Sequence, residues 1–127
     1  MEANKNFSGI WKSNEHTVDV DLSLIIFADD GTDVVYCPAL DISGYGLNEH
    51  EAIESFKISL GEFFLYTIHK NTFISELKRL GWTITKNKNR PMIPPTMSKM
   101  LEENKNFSNI FNNYPFRKIN EQFSLPA

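Results

Sequence analysis

Three histidines, one cysteine and sixteen carboxylates are the side chains of this 127-residue sequence that could bind a metal or move a proton. His16, His50 and His69 stand far apart, with no His-x-x-x-His pair and no second cysteine. A zinc site draws three or four such ligands together, usually at short spacing, so none is expected and the histidines read as surface or boundary residues. Cys37 is followed by Pro38, with no helix N-terminus behind it to lower its pKa, and reads as a buried structural thiol. Being alone, it cannot form an intrachain disulfide, which fits a reducing cytoplasm.

Asp19 and Asp21 are two apart in an alternating segment and therefore share one face of a strand. Paired strand carboxylates can hold Mg²⁺ in an RNase H-like nuclease, but that chemistry needs further carboxylates from other elements. Asp33, Asp41 and Glu51 can be nominated, yet no spacing demands any of them. Gly44-Tyr45-Gly46 stands before a helix, as a phosphate-binding loop does, but lacks a third glycine and a Walker lysine. No Gly-x-Ser-x-Gly elbow favours a serine nucleophile. The residues therefore point to a binding scaffold with no catalytic residue, no metal and no cofactor.

The elements that position these residues follow from periodicity. Val18, Val20, Leu22, Leu24, Ile26 and Ala28 alternate with Asp19, Asp21 and Ser23, as in a half-buried strand. Ile25 and Phe27 make the second face apolar towards its end, so something should cover it there. Asp30-Gly31 predicts a two-residue type I′ turn. A second strand covers about 33–37 and ends at Pro38. A short third strand spans 42–46, where Gly44 and Gly46 leave room for close backbone approach or a bulge. Asn48, with Glu51 three residues on, caps a long helix that buries Ala52, Phe56, Leu60, Phe63 and Thr67. Gly61 in that helix reads as a close crossing over the sheet. A second helix, 72–80, ends at Gly81 in the left-handed position. Trp82-Thr-Ile-Thr reads as the strand that completes the sheet.

The expected division is a domain over 1–85, a basic, proline-rich linker over 86–95 and a C-terminal extension over 96–127 with two short helices and a strand. Residues 1–16 read as a short turn of helix or an ordered arm anchored by Phe7, Ile10 and Trp11. The decapeptide from Glu2 to Trp11 is echoed from Glu102 to Phe111, which a biased Asn/Lys-rich composition can produce by chance. The longest apolar run, Leu24 to Ala28, is far shorter than the roughly 20 residues of a membrane-spanning helix, and no signal peptide is expected. Residues 1–70 hold twelve acids and four bases, whereas residues 71–127 hold four acids and nine bases. An acidic front half is ill suited to a phosphate backbone and well suited to a basic protein.

Tyr36-Cys37-Pro38-Ala39-Leu40-Asp41, then Gly44, Gly46, Glu49, Glu51 and Ala52 on a helix, resemble the HicB family of antitoxins of type II toxin–antitoxin systems. The resemblance covers roughly residues 18–85. It implies an α+β fold, a β-β-β-α-β sheet with one main packed helix and a partial RNase H-like topology, here joined by a second helix and a small C-terminal α/β extension. On it, Tyr36, Pro38, Asp41, Gly44, Gly46, Glu51 and Ala52 are structural motif residues. Two segments depart from the family pattern: Ile42-Ser43-Gly44 replaces Pro-Gly-Cys, and Gly46-Leu47-Asn48 replaces Gly-Asp-Thr, with Asn48 taking the cap.

The resemblance further implies a cytoplasmic, non-enzymatic protein that neutralises a HicA-like toxin, a small basic ribonuclease that cleaves mRNA, by direct binding. On charge alone, Asp19, Asp21, Asp29, Asp30 and Asp33 are the expected contacts. Exposed sheet edges and the terminal strand predict a homo-oligomer, a dimer or higher. Residues 96–127 show no clear helix-turn-helix or ribbon-helix-helix pattern, so operator DNA binding is doubtful. No membrane or small-molecule partner is expected. Two other functions fit the same residues: a metal-dependent RNase H-like nuclease using the strand carboxylates, or an orphan dimeric scaffold or transcriptional regulator.

Overall fold

The computed structural model describes residues 17–84 and 92–126. The expected N-terminal arm, its decapeptide and most of the 86–95 linker lie outside those residues. The rest is a mixed α+β fold built on a four-stranded antiparallel sheet. The strands are β1 (Thr17–Asp29), β2 (Thr32–Cys37), β3 (Ile42–Gly46) and β4 (Arg117–Pro126), in the spatial order β3-β2-β1-β4. The helices are α1 (Glu49–His69), α2 (Phe73–Arg79), α3 (Met97–Glu103) and α4 (Lys105–Asn113).

Alternation along β1 divides the sheet into two apolar faces. On the inner face Val20, Leu22, Leu24 and Ile26 join Val35, Cys37, Phe123 and Leu125 beneath α1. The helix lays Ala52, Phe56, Leu60, Phe64 and Thr67 into this core. Phe64 takes the buried place expected for Phe63, which is half-buried. On the outer face Ile25, Phe27, Val34 and Tyr36 meet Phe107 of α4. The second cover implied by Ile25 and Phe27 therefore exists, and α4 supplies it.

Local signals hold where backbone geometry dictates the residue. Asp30 and Gly31 both have positive φ, 54° and 81°, as a type I′ turn requires. Asn48 accepts a hydrogen bond from the Glu51 N–H at 2.9 Å, and Glu51 reaches back to the Leu47 N–H at 3.0 Å. Gly81 takes φ 97° after α2.

Two expectations are corrected. The sheet is not closed by residues 82–84, and residue 85 lies outside the described residues. Residues 82–84 make only an isolated bridge, Thr83 to Ile93, and the Trp82 side chain is buried with its indole N–H donating to the Ala39 carbonyl at 2.8 Å. The place beside β1 belongs to β4, which pairs with it without interruption from Thr17↔Pro126 to Ile26↔Arg117. Ten cross-strand pairs outcompete a four-residue alternation. The C-terminal segment thus contributes α4 and the fourth strand to the same sheet.

The second correction concerns glycine. A Cβ on Gly61 would meet nothing within 4 Å, so Gly61 marks no close crossing. Close approach occurs instead at β3, where a Cβ on Gly44 would lie 2.2 Å from the Phe56 nitrogen and 2.5 Å from the Ala52 carbonyl oxygen. Those contacts are with helix backbone, which cannot yield without moving α1. Gly44→Ala is therefore expected to lower stability by about 3 kcal/mol or more, since overpacking of this severity exceeds ordinary core substitutions. Gly61→Ala should raise it by up to about 1 kcal/mol through helix propensity. Urea or thermal melts of the two variants check both signs.

Candidate functional site

The five expected contact carboxylates do not form one patch. Asp19 and Asp21 lie on the outer face near the start of β1, where β4 runs alongside, and the Ser124 hydroxyl donates to Asp19 at 2.7 Å. Asp29 and Asp30 are at the β1–β2 hairpin, about ten residues away along the strand, roughly 30 Å at strand rise. Asp33, two positions before the inner-face residue Val35, turns to the face opposite that of Asp19 and Asp21. Asp33 therefore does not converge on Asp19 and Asp21, while Asp41 stands at the β2–β3 turn, where it accepts the Tyr36 hydroxyl. No group of three or more His, Cys, Asp or Glu among the described residues is placed to hold a metal ion.

What the fold does gather is a second acidic set at the hairpin end. Asp33 pairs across β2–β3 with Gly46, and a Cβ on Gly46 would sit 2.5 Å from the Glu51 Cβ. The β1–β2 turn thus adjoins the first turn of α1, which carries Glu49 and Glu51. Arg117 forms an ion pair with Glu49 from the start of β4. Leu47, directly before the cap, is 81% exposed, and its N–H donates to Glu51. Sequence charge counting found Asp29, Asp30 and Asp33 but not their neighbours Glu49, Glu51 and Leu47.

The motif residues Tyr36, Pro38 and Asp41 come together around the β2–β3 turn. The buried Tyr36 hydroxyl donates to Asp41 at 2.5 Å and accepts from the Asn104 amide at 2.8 Å. That amide also reaches the Pro38 carbonyl, and Asn106 donates to Asp41 at 3.3 Å. Asp41 holds a left-handed backbone, φ 57°, and its N–H closes the turn onto the Cys37 carbonyl at 2.8 Å. The network fixes a scaffold: its hydroxyl has both partners, and the Cys37 thiol is fully buried. A cleft of about 310 Å³ beside it is lined by Asp41, Glu103, Arg79, Lys99 and Lys105, charges of both signs. Arg79 is engaged by Glu76 at 2.9 Å, and this pairing draws the Glu76 carboxyl below its usual range.

Asn104 is the network residue that the sequence did not single out. It ends α3 and caps α4, accepting the Phe107 N–H at 3.1 Å. The Asn-x-x-Phe spacing at the head of α4 is the signal that could have found it. Asn104→Ala removes a cap and two side-chain donors, so a loss of about 2 kcal/mol is expected, read as an earlier unfolding midpoint.

Burial raises the Cys37 thiol and the Tyr36 phenol of this turn. Desolvation pushes the Cys37 thiol from 9.0 up to about 12, against the Leu40 and Ala39 N–H groups, which favour the thiolate. Desolvation first, and then the Asp41 hydrogen bond, lifts the Tyr36 phenol well above its ordinary 10.0. A raised folded-state pKa gives stability that is complete below the unfolded value and disappears as pH climbs towards the folded one. Stability should thus fall from about pH 9 upward as Cys37 contributes, and further above pH 10 through Tyr36. Cys37→Ala should flatten the first part of that decline in a series of melts. Native Cys37 should also resist a thiol-specific reagent until denaturant is added.

Comparison of the chain with protein-family models, with curated proteins and with solved structures finds no match in any of the three.

Proposed function

We propose that the chain is an antitoxin-like binding protein that neutralises a small, basic, mRNA-cleaving toxin of the HicA kind by direct contact, on a HicB-like scaffold of β1, β2, β3 and α1. The observation that carries this is the acidic hairpin end, where Asp33 pairs with Gly46 close to the first turn of α1, which carries Glu49 and Glu51, next to the exposed Leu47 and with Asp29 and Asp30 at the adjoining β1–β2 turn. An exposed apolar anchor beside like charges suits a partner with an apolar pocket in a basic surface. Asp19 and Asp21 stand apart from that surface, so they drop out of the contact set. The nuclease alternative finds no supporting carboxylate beside Asp19 and Asp21 among the described residues. The protein acts in the cytoplasm on this view, as a homo-oligomer, without DNA in its basic task.

The test is co-expression with a small basic HicA-like toxin, taken from the neighbouring reading frame where one is encoded there, scored by rescue of growth and by co-purification. The combined variant Asp29→Lys, Asp30→Asn, Asp33→Lys and Leu47→Ala should abolish rescue, while Asp19→Lys with Asp21→Lys should keep it. Asparagine is used at position 30 because it tolerates the positive φ there. The opposite ranking of the two variants would move the contact to the other end of β1. Full rescue by both would remove the charge argument altogether.

A further inference from the structure

The two edges of the sheet are treated differently. β3 is five residues long, is pressed against α1 through Gly44 and Gly46, and has its Tyr45 N–H taken by the Ser55 hydroxyl at 3.1 Å. β4 is ten residues long and pairs residue for residue with β1, with no bulge and no proline before Pro126. No described strand lies on its far side. Native edges are usually blunted by shortness, bulges, proline, covering elements or charge in mid-strand. From Ile119 to Leu125 only Glu121 is charged. Its inner-face residues Phe123 and Leu125 are already buried by the chain itself, whereas Asn120, Gln122 and Ser124 face outward as exposed, uncharged side chains.

We infer that β4 pairs antiparallel with β4 of a second copy about a two-fold axis at Asn120, joining two sheets into one of eight strands. This gives the self-association proposed above its interface, and it does not depend on the toxin reading. The register follows from face and charge. Inner residues must stay on the inner face, so the axis passes through a residue rather than between two. An axis at Glu121 sets that carboxylate against itself, and one at Gln122 sets the two carboxylates diagonal to each other. An axis at Asn120 pairs Lys118 with Gln122 and Ile119 with Glu121. It also brings Arg117 diagonal to Glu121 of the second copy, within reach of long side chains. Asn120 itself, held by the Ser23 hydroxyl at 2.9 Å, faces Asn120 of the second copy in a polar pair.

The test begins with the unaltered chain, so that no variant has to fold. Sedimentation or light scattering over a concentration series should give twice the 14.6 kDa of one chain. Asn120→Cys, oxidised with oxidised glutathione, should then form a covalent dimer, because directly opposed residues of an antiparallel pair lie within disulfide range. Ser124→Cys should not, since its own counterpart would lie roughly 25 Å along the pair. Buried Cys37 supplies an internal control that stays reduced. A single-chain mass at every concentration overturns the proposal, including the case in which residues 1–16 cover the edge. A dimer in which Ser124→Cys crosslinks and Asn120→Cys does not overturns the register. Because no toxin is present, failure here leaves the co-expression result standing, and the reverse holds too.

Discussion

Ile25 and Ile26 are the two residues of β1 with a strand partner on each side. Tyr36 and Val35 of β2 flank them on one side, and Lys118 and Arg117 of β4 on the other. From this crossing point β2 continues one way along β1 and β4 the other. Ile26 points into the core beneath α1 and Ile25 into the core beneath α4, both nearly inaccessible. Everything else hangs on that overlap: a thirteen-residue strand that is apolar on both faces for only four residues, Leu24 to Phe27. Shortening or splitting β1 would leave each core with half a floor. The residues on either side of the overlap are then free to be polar on the outer face, which is where Asp19, Asp21 and Ser23 stand.

The local grammar of the chain was legible because its causes are local. Asp30-Gly31 turns with two positive φ angles, Asn48 caps, Gly81 ends a helix, and the spans of β3 and α1 follow from glycine and capping positions. The apolar pair Ile25 and Phe27 announced a second cover without naming it. What periodicity could not supply was adjacency between segments about a hundred residues apart. Alternation marks both 82–85 and 117–125 as strand-forming, and nothing in either says which will lie against β1. The contest is decided by length, ten pairs against a single bridge, and by Trp82, whose indole finds a place under the β2–β3 turn. The acidic site was half legible for the same reason. Charge can be counted along a sequence, but the strand that carries it sends Asp19 and Asp21 to one end and Asp29 to the other, while folding brings in Glu49 and Glu51.

The turn from Cys37 to Asp41 ties these parts together. Cys37 and Leu40 enter the inner core, the Ala39 carbonyl receives the Trp82 indole, the Pro38 carbonyl receives Asn104, and Asp41 receives Tyr36 and Asn106. A left-handed Asp41 is a strained choice for a non-glycine residue, sustained here by what its carboxylate accepts. Tyr36, Pro38 and Asp41 thus have structural duties at this turn. The two surfaces proposed to meet partners lie away from it.

Those surfaces are separable. The middle of the β4 edge at Asn120 lies opposite Ser23, and the acidic turn begins six residues further along β1, roughly 20 Å away at strand rise. Arg117 links the two, joined to Glu49 at the acidic end while standing at the start of β4. Its pairing lowers the negative charge of the acidic end and anchors the β4 register against α1. Two copies joined at Asn120 would carry their acidic ends on opposite flanks of the extended sheet, because the two-fold reverses strand direction. Each end would then remain open to its own basic partner, and the assembly would hold two such sites without either blocking the other.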